Sequence, residues 1–216
     1  FYSAELKNMD FGGKNLSNSI FSLADFEDTN MIEVNVEYSS FVDVDFSQIK
    51  NKSLKGANMD HGSFSYSSFV DVELPMKLEH VNFNKAKMNG VNFENRSIFG
   101  TLFQETNLNN ANFKDADLSA GAARTIIDYE PRLLELFTSD FVKEVFGPHP
   151  NVQLLDVNII DDKIHVRALF YNNFSNSELQ NANLQNSNLS YADFTNTNLS
   201  GANLSGANLS GANLSG

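Results

Sequence analysis

Apolar residues recur at every fifth position along most of the chain. The last fifteen residues read ANLSG three times, and the same frame continues backward to Asn172. It is also present in three earlier blocks, at 4–48, 52–76 and 81–120, which makes 31 pentads in all. The central residue is apolar in all 31, and 13 of the 19 phenylalanines stand there. Because a spacing of five fits neither a helix nor a strand, the pattern indicates a repeat array.

A second position in each pentad is also restricted. The residue two places before the centre is Ala, Gly, Ser, Thr or Val in 26 of the 31 pentads, and the residue between them is commonly Asn or Asp. One large and one small inward residue predict a coil with a narrow core. Lys14, Lys52 and Arg96 stand at the small inward position, where an unpaired charge is costly to bury. We therefore expect local deformation of the coil there, or an escape of the side chain at a corner.

This pattern resembles the pentapeptide-repeat family, whose consensus is A(D/N)LXX. The resemblance covers 155 of the 216 residues. It implies an all-β solenoid, a right-handed quadrilateral β-helix in which four pentads form one coil and coils stack about 4.8 Å apart. A coil of four pentads places Phe83 beneath Phe103 and Phe93 beneath Phe113, so that two opposite sides of the core carry Phe and the other two carry aliphatic residues.

Three interruptions divide the array. Two are short and break the phase, at 49–51 and 77–80, and the third is long. The expected organisation is one continuous solenoid domain with N-terminal coils at 1–120, a helix-hairpin insertion at 121–171 and C-terminal coils at 172–216.

The first half of the insertion reads as a helix, with little helix expected outside 125–147. Pro131 suits a first helical turn, and Gly147 followed by Pro148 is a typical stop. Apolar residues three or four apart form one stripe that needs a surface to bury against. These residues are the candidate insertion contacts for a partner: Leu134, Phe137, Phe141 and Val145.

The second half of the insertion permits two interpretations. A five-residue frame continues through Ile159 and Ile164, but it would place Asp162 and Arg167 inside the core. A β-hairpin that turns at Asp161 and Asp162 avoids this cost and is favoured.

Composition narrows the classes of function. The chain has 15 basic and 27 acidic residues, and the net charge of −12 argues against direct binding of nucleic acid. The absence of Cys excludes disulfides, thiolate metal sites and a cysteine nucleophile. No apolar run is long enough to cross a membrane as a helix. No secretory signal is visible, so we expect the bacterial cytoplasm, or a host cell reached by a signal outside the visible sequence.

A search for catalytic motifs finds none that carries chemistry. HExxH, GxxxxGK[ST] and GxGxxG are all missing from the sequence. Asp60, His61 and Ser63 have the residue types of a catalytic triad, but such near neighbours point to different sides of a coil. We therefore expect no enzyme, no cofactor and no metal.

Acidic residues are concentrated early in the chain. Residues 24–48 contain seven acids and no base. Glu5, Asp25 and Asp45 recur at intervals of four pentads, so a coil of four pentads stacks them in one line that only Lys7 opposes. The candidate interaction face consists of this line and two neighbours: Glu5, Asp25, Glu27, Asp28 and Asp45.

Two functions follow from the resemblance and the charge. Solenoids present long flat faces, and several bacterial effectors resemble this architecture, so we expect a non-enzymatic scaffold for protein–protein interaction. Its partner would be a protein with a basic surface. The alternative is an acidic DNA mimic that binds DNA gyrase, like the quinolone-resistance and toxin-immunity proteins of the family. Those proteins are dimers with shorter loops, and a homodimer through a solenoid end is a further expectation.

Overall fold

The computed structural model describes residues 1–119, 121–127, 152–160 and 163–216. The repeats wind as a right-handed quadrilateral β-helix, which confirms the fold predicted from the pentads. Successive coils pair in parallel, and most of the paired residues stand four pentads apart in the sequence.

The four sides of the rod follow from the first complete coil. We number them first to fourth, beginning with residues 4–8, 9–13, 14–18 and 19–23. At most corners the carbonyl oxygen of a central residue accepts a hydrogen bond from the backbone N–H three residues later, as Lys14 N donates to Phe11 O at 2.9 Å. The residue that ends the side has a positive φ, 64° at Gly13 and 57° at Asn18. Gly and Asn tolerate this left-handed conformation best, which explains why they recur in the repeat.

Phenylalanine fills the core unevenly. The predicted stacks are confirmed, with ring centroids 5.6 Å apart for Phe83 and Phe103, and 4.4 Å apart for Phe93 and Phe113. Beneath the fourth side, Phe occupies successive coils without a gap from Phe1 to Phe194. This column runs through eight rings: Phe1, Phe21, Phe41, Phe64, Phe83, Phe103, Phe174 and Phe194. Aromatic pairs of this kind add about 0.5–1.5 kcal/mol each beyond the burial of area.

The first short interruption enlarges one coil. It comprises two 3-10 turns, Phe46–Gln48 and Lys50–Lys52, and the intervening Ile49 is buried in the core. Asn35 pairs with Asn58 here, whereas Asn15 pairs with Asn35 in the coil before, so the interruption adds three residues to an ordinary coil.

The second short interruption breaks the five-residue phase, as expected, but the coil continues through it. Strand β1, Lys77–Glu79, pairs in parallel with strand β2, Ser97–Phe99, on the third side. Leu78 is fully buried and takes the central position. The segment is therefore a side of four residues, which makes its coil one residue shorter than an ordinary one, as the pairing of Ser63 with Asn82 shows.

The three cations at the inward position differ. Lys14 and Lys52 are exposed, so their side chains leave the core, which is one of the two outcomes expected from the sequence. Arg96 is buried, which neither expectation described. Its Nε donates to Pro75 O and its Nη2 donates to Leu74 O, both at 3.0 Å. Burial lowers the pKa of Arg96. The two carbonyl oxygens compensate in part for the loss of water around the guanidinium.

The insertion contains a three-stranded antiparallel sheet. Strands β3 (Gly121–Ile127), β4 (Val152–Ile160) and β5 (Lys163–Phe170) are ordered β3-β5-β4. Ile160 pairs with Lys163, which confirms the hairpin, whereas β3 was not expected. Residues 125–127, the start of the range to which helix was expected to be confined, belong to β3. The remaining helix prediction and its stripe lie outside the described residues: Leu134, Phe137, Phe141 and Val145.

The rod continues across the insertion without a change of register. Leu102 pairs with Asn173, the second residue after the insertion. Asn172 is buried at the small inward position. Its Oδ1 accepts from Thr101 N at 2.9 Å, and its Nδ2 donates to Leu118 O at 2.6 Å. The insertion therefore leaves and rejoins the rod at the corner between the third and fourth sides.

Candidate functional site

The first side brings the predicted acidic residues together. Glu5 pairs with Asp25 one coil away. Lys7 Nζ lies 3.0 Å from Asp25 Oδ2 and 2.7 Å from Glu27 Oε2, so the single base of this region is already engaged. A hydrogen bond from the backbone N–H of Glu27, and then the one from Lys7, lower the pKa of Asp25. Asp25 is therefore fully ionised at neutral pH.

The acidic line ends at the third coil. Phe26 stacks on Phe46 with centroids 6.4 Å apart, which places Asp25 and Asp45 in the same column. Asp45 Oδ1 accepts from Ser47 at both its backbone N and its Oγ, at 3.0 and 2.6 Å. The next residue of the column is Ser68. The acidic face is thus about two coil steps long, or roughly 10 Å.

A column of aromatic rings runs along the corner between the third and fourth sides. Tyr38 stacks on His61 with centroids 4.6 Å apart, and His61 stacks on His80 at 4.7 Å. His80 in turn contacts Phe99 at 4.8 Å and Phe170 at 5.1 Å. Because Phe170 ends strand β5, this column joins the inserted sheet to the rod.

The residue types of a catalytic triad serve other contacts. His61 lies within the aromatic column, between two rings. Asp60 Oδ2 accepts from Lys77 Nζ at 3.2 Å, and its Oδ1 accepts from Glu79 N at 3.3 Å. Asp60 therefore orients no imidazole, and the acid–base–nucleophile chain is not assembled.

Among the described residues, no group of three or more His, Asp or Glu side chains has the arrangement of a metal site. No helix of that part of the chain has the length and apolarity to cross a membrane.

A cleft of about 440 Å³ opens on the second side. Asp71, Glu73, Asn92 and Arg96 line it. Its charged groups already have partners, since Glu73 Oε2 accepts from Ser53 Oγ at 2.6 Å and Arg96 donates to carbonyls. The cleft therefore offers little unsatisfied chemistry to a ligand.

The repeat frame and the stacked coils agree with a comparison of sequences. A family model described as pentapeptide repeats matches eight copies, over residues 10–48, 99–120 and 177–216. The chain belongs to the pentapeptide-repeat family. As a pentapeptide-repeat protein it has the architecture of a scaffold. The comparison with curated proteins gives no match.

Solved pentapeptide-repeat structures are similar to the chain at low identity. Rfr23 from the cyanobacterium Cyanothece 51142 has 17% identity and a TM-score of 0.40, over 76% of this chain and 87% of that one. HetL from Nostoc sp. strain PCC 7120, involved in heterocyst differentiation regulation, has 16% identity and a TM-score of 0.29, over 98% and 87%. Full-length QnrB1, a plasmid-mediated fluoroquinolone resistance protein, has 15% identity and a TM-score of 0.33, over 98% and 92%.

Proposed function

We propose that the protein is a non-enzymatic scaffold that binds a partner protein through its acidic first side. The support is the concentration of Glu5, Asp25, Glu27, Asp28 and Asp45 on one side of three coils, with Lys7 as the only base among them. The backbone of each coil is hydrogen-bonded to its neighbours, so these charges are held in fixed positions. A partner with a basic surface complements them.

The spacing of the charges makes them act together. Successive coils are about 4.8 Å apart, whereas the screening length at physiological ionic strength is about 8 Å. Salt therefore does not isolate one carboxylate from the next. A cluster of one sign raises the rate of association with an oppositely charged partner, and this effect falls steeply with ionic strength.

The test is to neutralise the first side and measure association. The first-side variant carries Asp25→Asn, Glu27→Gln, Asp28→Asn and Asp45→Asn. The partner is isolated by affinity capture on the parent rod, and its binding kinetics are followed by biolayer interferometry at several salt concentrations. We expect an on-rate about tenfold lower at low salt and a difference that disappears at high salt.

A matched control removes four acids elsewhere: Glu37→Gln, Glu94→Gln, Glu105→Gln and Asp115→Asn. It removes the same four negative charges but leaves the first side intact. If both variants slow association to the same extent, the effect is one of net charge, and the assignment to the first side fails.

The net charge of −12 favours a second candidate, an acidic rod that takes the place of DNA on gyrase. The match in spacing is loose, since DNA has a phosphate about every 3.4 Å per strand. A supercoiling assay separates the two functions. Inhibition of gyrase by the parent and its relief in the first-side variant would support mimicry, and an unchanged supercoiling rate at micromolar protein would exclude it.

A further inference from the structure

The fourth side differs from the first in that no charged residue flanks its central Phe over six coils. Its exposed part covers the first four of them, because Leu102, Asn173 and Ser175 are buried. The two residues on either side of each central Phe are hydroxyl, amide or aliphatic. They are Ile20 and Ser22, Ser40 and Val42, Ser63 and Ser65, Asn82 and Asn84, Leu102 and Gln104, and Asn173 and Ser175. Such a surface costs little to remove from water, because no ion has to be desolvated.

Large apolar side chains are exposed on this side within the first three complete coils. Ile20 is 61% exposed, Leu23 is 43% exposed and Tyr66 is 52% exposed. Leu23 N donates to Val42 O at 2.9 Å, so these two residues lie on neighbouring coils. We call Ile20, Leu23, Val42 and Tyr66 the fourth-side patch. Tyr38, 55% exposed, lies at its other border.

The corners beside the patch hold large residues at an unfavourable conformation. Leu23, Tyr38 and Tyr66 have φ values of 61°, 55° and 64°, in the left-handed region. Asn18 adopts the same conformation at an equivalent corner, so the fold does not require these large side chains. Bulky residues at positive φ carry a conformational cost. Tyr38 stacks on His61, and Lys85 Nζ lies 5.3 Å from the centroid of the Tyr66 ring. No ring or ion contact is seen for the exposed Leu23 among the described residues. Tyr together with Ser is also a typical composition of surfaces that bind proteins.

We propose that the fourth-side patch docks a basic amphipathic helix of the partner protein. This inference rests on the proposed function and extends it, since the acidic first side attracts the partner and the fourth-side patch anchors it. A strand is a poor occupant, because the backbone groups of the side are already paired between coils. Phe21 N, for example, donates to Ser40 O at 2.7 Å.

The dimensions and charges suit such a helix. From Ile20 to Tyr66 the patch spans two coil steps, about 10 Å, which is close to two helical turns of about 5.4 Å. Asp43 stands at the border toward the first side, and Asp25 and Asp45 lie just beyond it. Among the described residues, the one cation at this corner near the patch is Lys85, whose Nζ lies over the Tyr66 ring and 3.6 Å from Glu105 Oε2. A helix whose apolar stripe is flanked by Lys or Arg therefore meets apolar residues on the fourth side and carboxylates on the first.

The experiment uses a defined probe. A peptide of Leu and Lys, about five helical turns long and arranged to form an amphipathic helix, is titrated into the full chain and followed by backbone NMR and by binding kinetics. A scrambled peptide of the same composition serves as a control for general attraction between charges. The fourth-side variant is Ile20→Ser, Leu23→Asn, Val42→Ser and Tyr66→Asn, with residues taken from equivalent positions of the repeat so that folding is preserved. Met76→Ser removes an exposed apolar residue from the second side as a matched control.

We expect the helical peptide to shift the amide signals of the fourth-side patch and the fourth-side variant to bind it at least tenfold more weakly, mainly through a faster off-rate. Met76→Ser should bind as the parent does. Parent-like binding by the fourth-side variant, or equal binding of the scrambled peptide, would overturn the inference while leaving a first-side effect on the on-rate intact. Concentration-dependent sedimentation of the chain alone, abolished in the fourth-side variant, would also overturn it, since a second copy would then occupy the patch.

Discussion

Replacing one Phe of the phenylalanine column by Ala should lower the free energy of unfolding by an amount that depends on how many ring contacts are lost. Phe103 is fully buried. It stacks on Phe83 at 5.6 Å and on Phe174 at 4.9 Å, and it meets Phe93 and Phe113 edge to face at 5.8 and 6.2 Å. A buried Phe→Ala change costs about 3–5 kcal/mol. Four ring contacts are lost together, so Phe103→Ala should fall in the upper half of that range.

Phe11→Ala is the matched control, because Phe11 holds the same position of the repeat frame. It is only partly buried, and its ring contacts Phe26 at 6.3 Å. Its cost should be well below that of Phe103→Ala. Urea unfolding followed by circular dichroism measures both as shifts of the midpoint at an unchanged m value.

A charge at the same place gives the sharper test. Phe103→Asp would bury a carboxylate among four rings and should unfold the rod. If Phe103→Asp melts like the parent, or if Phe11→Ala costs as much as Phe103→Ala, the inward assignment of the central residues is wrong.

Three further predictions concern other parts of the molecule. Removal of residues 122–171, joining Gly121 to Asn172, should leave a folded and soluble rod by circular dichroism, because the coils already pair across the insertion; aggregation would show that the insertion covers a core the rod requires. Arg96→Ala should lower the free energy of unfolding by about 1–3 kcal/mol, since two buried carbonyls lose their donors, and a parent-like urea midpoint would refute this. The pKa values of Asp10 and Asp25 are lowered in the fold, first of all by backbone hydrogen bonds. These carboxylates therefore stabilise the fold above the unfolded pKa of about 3.9, and this stabilisation disappears as the pH falls through the lower native pKa. Asp25→Asn should therefore flatten the loss of melting temperature in acid, and an unchanged acid slope would contradict the assignment.

The sequence alone predicts most of the rod. The five-residue frame identifies the inward residues, and residues four pentads apart within one uninterrupted block, such as Phe83 and Phe103, stack as expected. The acidic first side is predictable for the same reason, because Glu5, Asp25 and Asp45 all precede the first interruption.

Features that cross an interruption could not be predicted. Tyr38, His61 and His80 form one column, but the enlarged coil separates the first two and the shortened coil separates the second two. Their alignment depends on how each interruption is absorbed, which involves the burial of Ile49 in one case and of Leu78 in the other. Strand β3 was missed because its partner β5 lies far along the chain, on the other side of the hairpin turn.

Arg96 shows a different limit. Its position in the repeat frame predicted a charged side chain in the core. The usual cost of burying an unpaired charge predicted instead that the side chain would turn out to solvent or that the coil would deform. The outcome depended on two backbone carbonyls of the preceding coil, which point toward its guanidinium. Local geometry of that kind is not encoded in the repeat pattern.

The register kept across the interruptions has a consequence for how such a chain changes in length. The enlarged coil, the shortened coil and the long insertion all return the backbone to the same side. Duplication of a single ANLSG unit would not, since one pentad is a quarter of a coil. The core would accept the extra unit, but every later side would turn by a quarter of a revolution relative to the earlier ones. A gain of one repeat thus rearranges the whole outer surface beyond it, whereas a gain of four only lengthens the rod.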